Sequence, residues 1–81
     1  MLEKTRLFST EEIEDALINR MLDEVYEALE EKGYNPINQI VGYLISGDPG
    51  YISSHLGARE KITEYDRSKI LITILKGYLQ R

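Results

Sequence analysis

His55 is the only side chain in the sequence suited to proton transfer near neutral pH, because the chain has a single histidine. Asp48 is the carboxylate that would pair with it in an acid–base couple, yet nothing nearby supplies a nucleophile or a set of oxyanion donors. The chain has no cysteine, so a zinc–thiolate site is excluded. A transition-metal site would have to be built from carboxylates, which favour other metals. His55 is therefore read as a loop or packing residue, and no catalytic residue, metal or cofactor is assigned. Gly47-Asp48-Pro49-Gly50 lacks the spacing and the lysine of a phosphate-binding loop and reads as a stop and restart between helices. The six tyrosines (Tyr26, Tyr34, Tyr43, Tyr51, Tyr65, Tyr78) are spread through the chain. They read as half-buried packing with a wet hydroxyl rather than as a base-stacking platform. Thr5 is different: it stands between Lys4 and Arg6 in a segment without periodicity, where a kinase could thread it.

Charge narrows the function classes further. Residues 1–32 carry ten acids and four bases, a net −6, and residues 33–81 carry six bases and four acids, a net +2. From Gly33 to Ala58 there is no lysine or arginine. An acidic chain with this gap is a poor nucleic-acid ligand. No apolar run approaches the ~18 residues needed to span a bilayer, and no basic start precedes a signal-type apolar segment. Hydrophobic residues make up 42% of 81, enough for one modest core but marginal without a partner. The absence of cysteine makes a cytoplasmic setting the default.

The elements that must position these residues are helical. Residues 1–8 form a flexible N-terminal arm, and residues 9–81 a single helical domain. Ser9 and Glu12 make a capping box, with Phe8 and Ile13 placed as a hydrophobic staple. Ile13, Leu17, Met21, Val25 and Leu29, widened by Ile18, Leu22 and Ala28, give the first helix an apolar arc of roughly 180°. Glu14, Asp15, Asp23, Glu24, Glu27 and Glu30 are assigned to its outer face. Lys32-Gly33 ends the helix and Asn35-Pro36 starts the next. That second helix, with Ile37, Ile40, Val41, Leu44 and Ile45, is apolar on all sides and is expected in the middle of the molecule. Gly47 stops it, Asp48-Pro49 begins a short turn, and residues 53–57 connect to a helix over 58–65. Asp66 caps a last helix to about Leu79, whose arc is again too wide for one small core. The expected fold is all-α, a compact cluster of four to five helices, paired as a helical homodimer.

The stretch Tyr26 to Ile52, YEALEEKGYNPINQIVGYLISGDPGYI, closely resembles the IreB family of small bacterial regulatory phosphoproteins, which includes the proteins called ReoM. The resemblance is carried by E-K-G-Y-N-P-I-N-Q-I-V-G-Y followed by S-G-D-P-x-Y-I, from Glu31 to Ile52, with weaker matches towards both ends. It implies a cytosolic, all-helical homodimer without catalytic activity, of the kind found in Gram-positive bacteria. It further implies a substrate of the PASTA-type Ser/Thr protein kinase and its cognate phosphatase. Unphosphorylated members favour Clp-protease degradation of the UDP-N-acetylglucosamine carboxyvinyltransferase of peptidoglycan synthesis, and phosphorylation relieves this. The family's phosphoacceptor is an arm threonine shortly before an aromatic, which K-T-R-L-F matches with Thr5, three residues before Phe8.

After D-P-x-Y-I the family usually continues P-R-H-x-x-A-R, whereas this chain reads S-S-H-L-G-A-R. Ser53 and Ser54 thus replace a proline and an arginine, and Thr63 and Glu64 stand where basic residues are usual. The partner-binding basic surface that the resemblance implies reduces to Arg59 and Arg67, helped by Lys61 and Lys69. A phosphate on Thr5 could recruit the arm onto Arg59 or Arg67, or repel an acidic partner. Two rival readings are a helix-turn-helix-like DNA-binding module on the second and third helices, and a small enzyme around His55 and Asp48. The charge gap opposes the first, and the lack of a second histidine or a cysteine opposes the second.

Overall fold

The computed structural model describes residues 8–81, and all the helices follow one another along the chain as the local signals dictate. Helix α1 spans Thr10–Glu31, α2 Pro36–Ser46, α3 Ala58–Thr63 and α4 Arg67–Leu79, with single 3-10 turns at Pro49–Tyr51 and His55–Gly57. No strand occurs among the described residues. The fold is all-α, as the periodicity requires.

The helix ends are where the sequence is most literal. The Glu12 amide donates to Ser9 Oγ at 3.1 Å and the Ser9 amide to Glu12 Oε1 at 3.0 Å, the reciprocal pair of a capping box. Asn35 Oδ1 accepts from the Asn38 amide with Pro36 in the first turn. Asp48 Oδ1 accepts from the Gly50 amide and opens the first 3-10 turn. Gly33 and Gly47 both take left-handed backbone, φ 85° and 78°, at the ends of α1 and α2. Asp66 stands at the N-cap of α4, but its side chain makes no cap hydrogen bond, so that expectation holds for position and not for chemistry.

Helix α1 is the spine against which α2, α3 and α4 pack. Ile18, Val25 and Leu29 from α1 meet Ile52, Ile62 and Ile70, all fully buried, with Met21, Ala28, Ile40, Tyr43 and Ala58 completing the core. Two sequence expectations fail here. Ile13 and Leu17 are about half exposed and Phe8 more so, and the three line one open apolar groove, so this end of the stripe lies outside the core. The reason is geometric: a ladder with a step of four residues drifts by about 40° per step, so Ile13 lies about 160° around the helix from Leu29. One core cannot take both ends, and it takes the C-terminal one. Asp15, assigned to the outer face, turns inward towards α4 instead.

Helix α2 is not central. Only Ile40 and Tyr43 are buried, while Ile37, Val41 and Ile45 lie in the open. An uncharged sequence made the helix apolar all round, but the core of a chain this small covers one side only. Helix α4 likewise buries Ile70 and Thr73 and leaves Leu71, Ile72, Ile74, Leu75, Tyr78 and Leu79 exposed.

Candidate functional site

The segment from Gly33 to Ile52 is a self-locking loop of structure. Gln39 Nε2 donates to the Tyr51 carbonyl at 2.9 Å, tying α2 to the turn that follows it. The Tyr51 ring lies flat on α2 at Gly42, so close that a Cβ there would stand 2.5 Å from two ring carbons. Ser46 Oγ donates to the Gly42 carbonyl and accepts from the Asp48 amide. Ile52, the next residue, is fully buried. Glycine, glutamine, serine, aspartate and tyrosine at these positions are therefore explained by packing and backbone satisfaction. Gln39, Asp48, Gly50 and Tyr51 also border a shallow open cavity of about 270 Å³ on the outer side of the loop.

Two arginines fasten this loop from outside. Arg59 Nε donates to the Ile52 carbonyl at 2.8 Å. Arg67 Nη1 donates to the Leu44 carbonyl at 3.1 Å, and its guanidinium fills the space beside Gly47 where a side chain would otherwise be. Both remain exposed, and neither has a carboxylate partner among the described residues. Lys61 and Lys69, expected to help them, are instead engaged by α1. Lys61 Nζ lies 3.2 Å from Glu24 and Lys69 Nζ 2.9 Å from Glu14. These contacts hold the Glu24 carboxyl below and the Lys69 ammonium above their ordinary values, through hydrogen bonds to Lys61 and Glu14 respectively.

His55 does not meet Asp48. Its Nε2 stands 2.8 Å from Glu31 Oε1 at the end of α1, while Asp48 is committed to its own turn. Leu56, the next residue, is a non-glycine in left-handed backbone, φ 55° and ψ 26°, followed by Gly57 at φ 73°. The segment expected to form a recognition helix is the single 3-10 turn Pro49–Tyr51. It is too short to lie in a major groove, which removes the structural basis of the DNA-binding alternative.

A polar network that sequence reasoning missed joins α1 to α4. Buried Thr73 donates to Asp15 Oδ1 at 2.7 Å, and Lys76 Nζ reaches Asp15 Oδ2 at 2.6 Å and Glu11 Oε2 at 2.8 Å. The hydrogen bonds from Lys76 and Thr73 pull the Asp15 carboxyl below its usual range, and those to Asp15 and Glu11 push the Lys76 ammonium up. The contacts set an antiparallel register, with the C-terminal end of α4 beside the start of α1. An alternation of Thr73 and Lys76 within an apolar helix was the available signal.

Among the described residues no group of three or more histidines and carboxylates could hold a metal ion, and no helix is long and apolar enough to cross a membrane. Thr5 lies outside the described residues. A family model described as the IreB regulatory phosphoprotein matches residues 3–80, and the chain belongs to that family.

Proposed function

We propose that this member of the IreB family is a non-enzymatic regulator whose output is switched by phosphate on Thr5, placed by a PASTA-type Ser/Thr kinase and removed by the cognate phosphatase. One observation carries the reading. Thr5 is the only hydroxyl amino acid ahead of the α1 cap, and Ser9, the next one, has its hydroxyl occupied by the Glu12 amide. Thr10 opens α1, so either competitor would require unwinding before a kinase could bind it in extended form.

The downstream role is control of peptidoglycan synthesis through protein contacts in the cytoplasm, acting on Clp-dependent turnover of the UDP-N-acetylglucosamine carboxyvinyltransferase. Arg59 and Arg67 are the cations proposed to meet a partner, since each uses one nitrogen on a carbonyl and leaves other donors exposed. The working form is a homodimer. Its support is the open apolar surface of α4 (Leu71, Ile72, Leu75, Leu79) and of the first turns of α1 (Ile13, Leu17), more than a stable monomer ordinarily leaves to water.

The test is to incubate the chain with the kinase domain, map the phosphate by mass spectrometry, and compare pull-downs with and without it. Phosphate on Thr5, lost in Thr5→Ala, is expected. Phosphate on Ser9, Thr10 or a tyrosine with Thr5 bare would overturn the assignment. Light scattering at tens of micromolar is expected to give twice the 9.4 kDa chain mass, and a monomer would refute the dimer.

A further inference from the structure

We infer that the cavity on the outer side of the loop after α2 receives an arginine side chain of a protein partner, with Asp48 as its counter-ion and Tyr51 as its stacking surface. Gln39, Asp48, Gly50 and Tyr51 border this space of about 270 Å³. Asp48 spends Oδ1 on the Gly50 amide, which leaves Oδ2 open. Gln39, whose Nε2 is held by the Tyr51 carbonyl, keeps Oε1 open. The lining thus offers one negative charge and two open acceptors, and a donor-rich cation fits it.

Among the described residues no cation answers that charge. From Gly33 to Ala58 there is no lysine or arginine, and Asp48 is the only acid. Asp48 enters none of the ion pairs of the described residues. Arg67 packs beside Gly47, but it is turned onto the Leu44 carbonyl and does not border the cavity. A guanidinium suits the site better than an ammonium, because its planar fork matches a carboxylate and its face stacks on an aromatic ring. Tyr51 holds such a ring on a fixed mount. Its amide donates to the Asp48 carbonyl, its own carbonyl is bonded by Gln39, and its ring rests on α2 at Gly42 yet stays exposed. A surface already fixed in place loses little freedom when it binds.

The surface beside the cavity decides what flanks the arginine. Ile37, Val41 and Ile45 are exposed on α2 at a spacing of four residues. At about 100° per residue, Ile45 stands about 60° and Val41 about 100° around the helix from Gly42, where the Tyr51 ring rests. The apolar strip and the cavity are therefore neighbours on the outer side of α2. Neither belongs to the surface of α4 and early α1 proposed for the homodimer. The strip carries no charge of either sign, so a charged flank would lose its water there without gaining a partner. The occupant is a segment with one arginine between apolar residues. It makes a contact of opposite sign to those at Arg59 and Arg67, which call for carboxylates.

The test titrates the isotope-labelled full chain at low salt with an end-blocked Leu-Arg-Leu peptide. A second peptide carries citrulline, which keeps the shape of arginine and lacks its charge. NMR follows the backbone amides of Gly50 and Tyr51 and the side-chain amide of Gln39. The arginine peptide is expected to shift them to saturation, and the citrulline peptide to bind about three- to ten-fold more weakly, the factor of an exposed ion pair with a cation–π contact. Asp48→Asn is expected to erase that preference while keeping the turn, since asparagine accepts from the Gly50 amide as aspartate does. Val41→Ser is expected to weaken both peptides, and an unchanged affinity would refute the apolar flank. Equal binding of the two peptides, or an arginine preference that survives Asp48→Asn, would overturn the proposal. So would shifts of equal size at Asp23 and Glu27 on α1, which would mean that arginine pairs with any exposed carboxylate. If the Gly50 amide moved on dilution of the chain without peptide, the occupant would be a second copy and the assignment to another protein would fail.

Discussion

Gly42→Ala is expected to destabilise the protein although it places a better helix former inside a helix. The new Cβ would meet Tyr51 Cδ1 and Cε1 at 2.5 Å and Cγ at 3.0 Å, where carbon atoms ordinarily rest at about 3.5–4.0 Å. The ring must therefore withdraw by about 1 Å or more. Its backbone cannot follow, because the Tyr51 amide donates to the Asp48 carbonyl, its carbonyl accepts from Gln39, and Ile52 is locked in the core. Only the side chain can swing, and it then loses the face packed on α2. Overpacking of this kind costs about 1–3 kcal/mol, while alanine over glycine returns up to about 1 kcal/mol, for a net loss of about 1–2 kcal/mol. Gly77→Ala is the control. Nothing lies within 4 Å of its added Cβ, so the propensity gain stands alone and stability should rise by about 0.5–1 kcal/mol. Urea unfolding followed by circular dichroism at one fixed chain concentration measures both. In the double variant Gly42→Ala/Tyr51→Ala the clash is gone, and the two single effects should fail to add by about 1 kcal/mol or more. If Gly42→Ala matched Gly77→Ala in sign, the close approach of ring and helix would be refuted.

Leu56 is 60% exposed and sits at φ 55°, so Leu56→Gly should relieve backbone strain and stabilise the fold by about 1 kcal/mol; an equal or lower urea midpoint would count against it. His55→Ala removes one partly exposed contact to Glu31 and should cost no more than about 1 kcal/mol while leaving regulatory activity intact; a folded variant without activity would mean that His55 belongs to the partner surface. The Asp15–Lys76 pair sets a pH window. Asp15 is held below its ordinary 3.8, so its contribution is present above that value and is lost as pH falls through the lower, folded one. Lys76 is held above 10.5, so its contribution is present below that value and is lost as pH rises through the higher one. The urea midpoint should be insensitive to this pair between about pH 5 and 9 and fall outside it, and Asp15→Asn should weaken the acid-side loss. An acid limb unchanged in Asp15→Asn would contradict the assignment.

What the sequence made legible was local. Ser9 with Glu12, Asn35 with Pro36, Gly47, and Asp48 with Pro49 act on backbone groups within four residues, and each sits where its type demands. What it hid was nonlocal. Asp15 and Thr73 are 58 residues apart, and a carboxylate in an acidic helix gives no sign of turning inward until α4 is beside it. The rotation of α1 was hidden for a related reason, since a ladder of fours fits a helix locally and drifts off any one face over its length. Ile37, Val41 and Ile45 announced an apolar helix correctly, but composition says nothing about how much of it the remaining chain can cover. For the candidate site, Arg59 and Arg67 are legible in the sequence as surface cations. Their grip on the Ile52 and Leu44 carbonyls was invisible without the path of the loop between α2 and α3.

That grip separates the parts of the chain that specify the fold from those free to diverge in function. The recognisable residues from Glu31 to Ile52 satisfy one another through Gln39, Gly42, Ser46 and Asp48, and changing any of them disturbs the scaffold first. Just beyond, where the family usually carries proline and arginine, Ser53 Oγ accepts from the His55 amide at 3.1 Å, so a side-chain hydrogen bond holds the turn that a proline would stiffen. Thr63, at a usually basic position, spends its hydroxyl on the carbonyls of Arg59 and Glu60. Both replacements leave the backbone supported, and only the one at Thr63 removes an outward charge. Divergence there changes the charge of the surface without altering how Arg59 is held on the Ile52 carbonyl. The backbone scaffold and the charge of this surface can therefore change independently of each other.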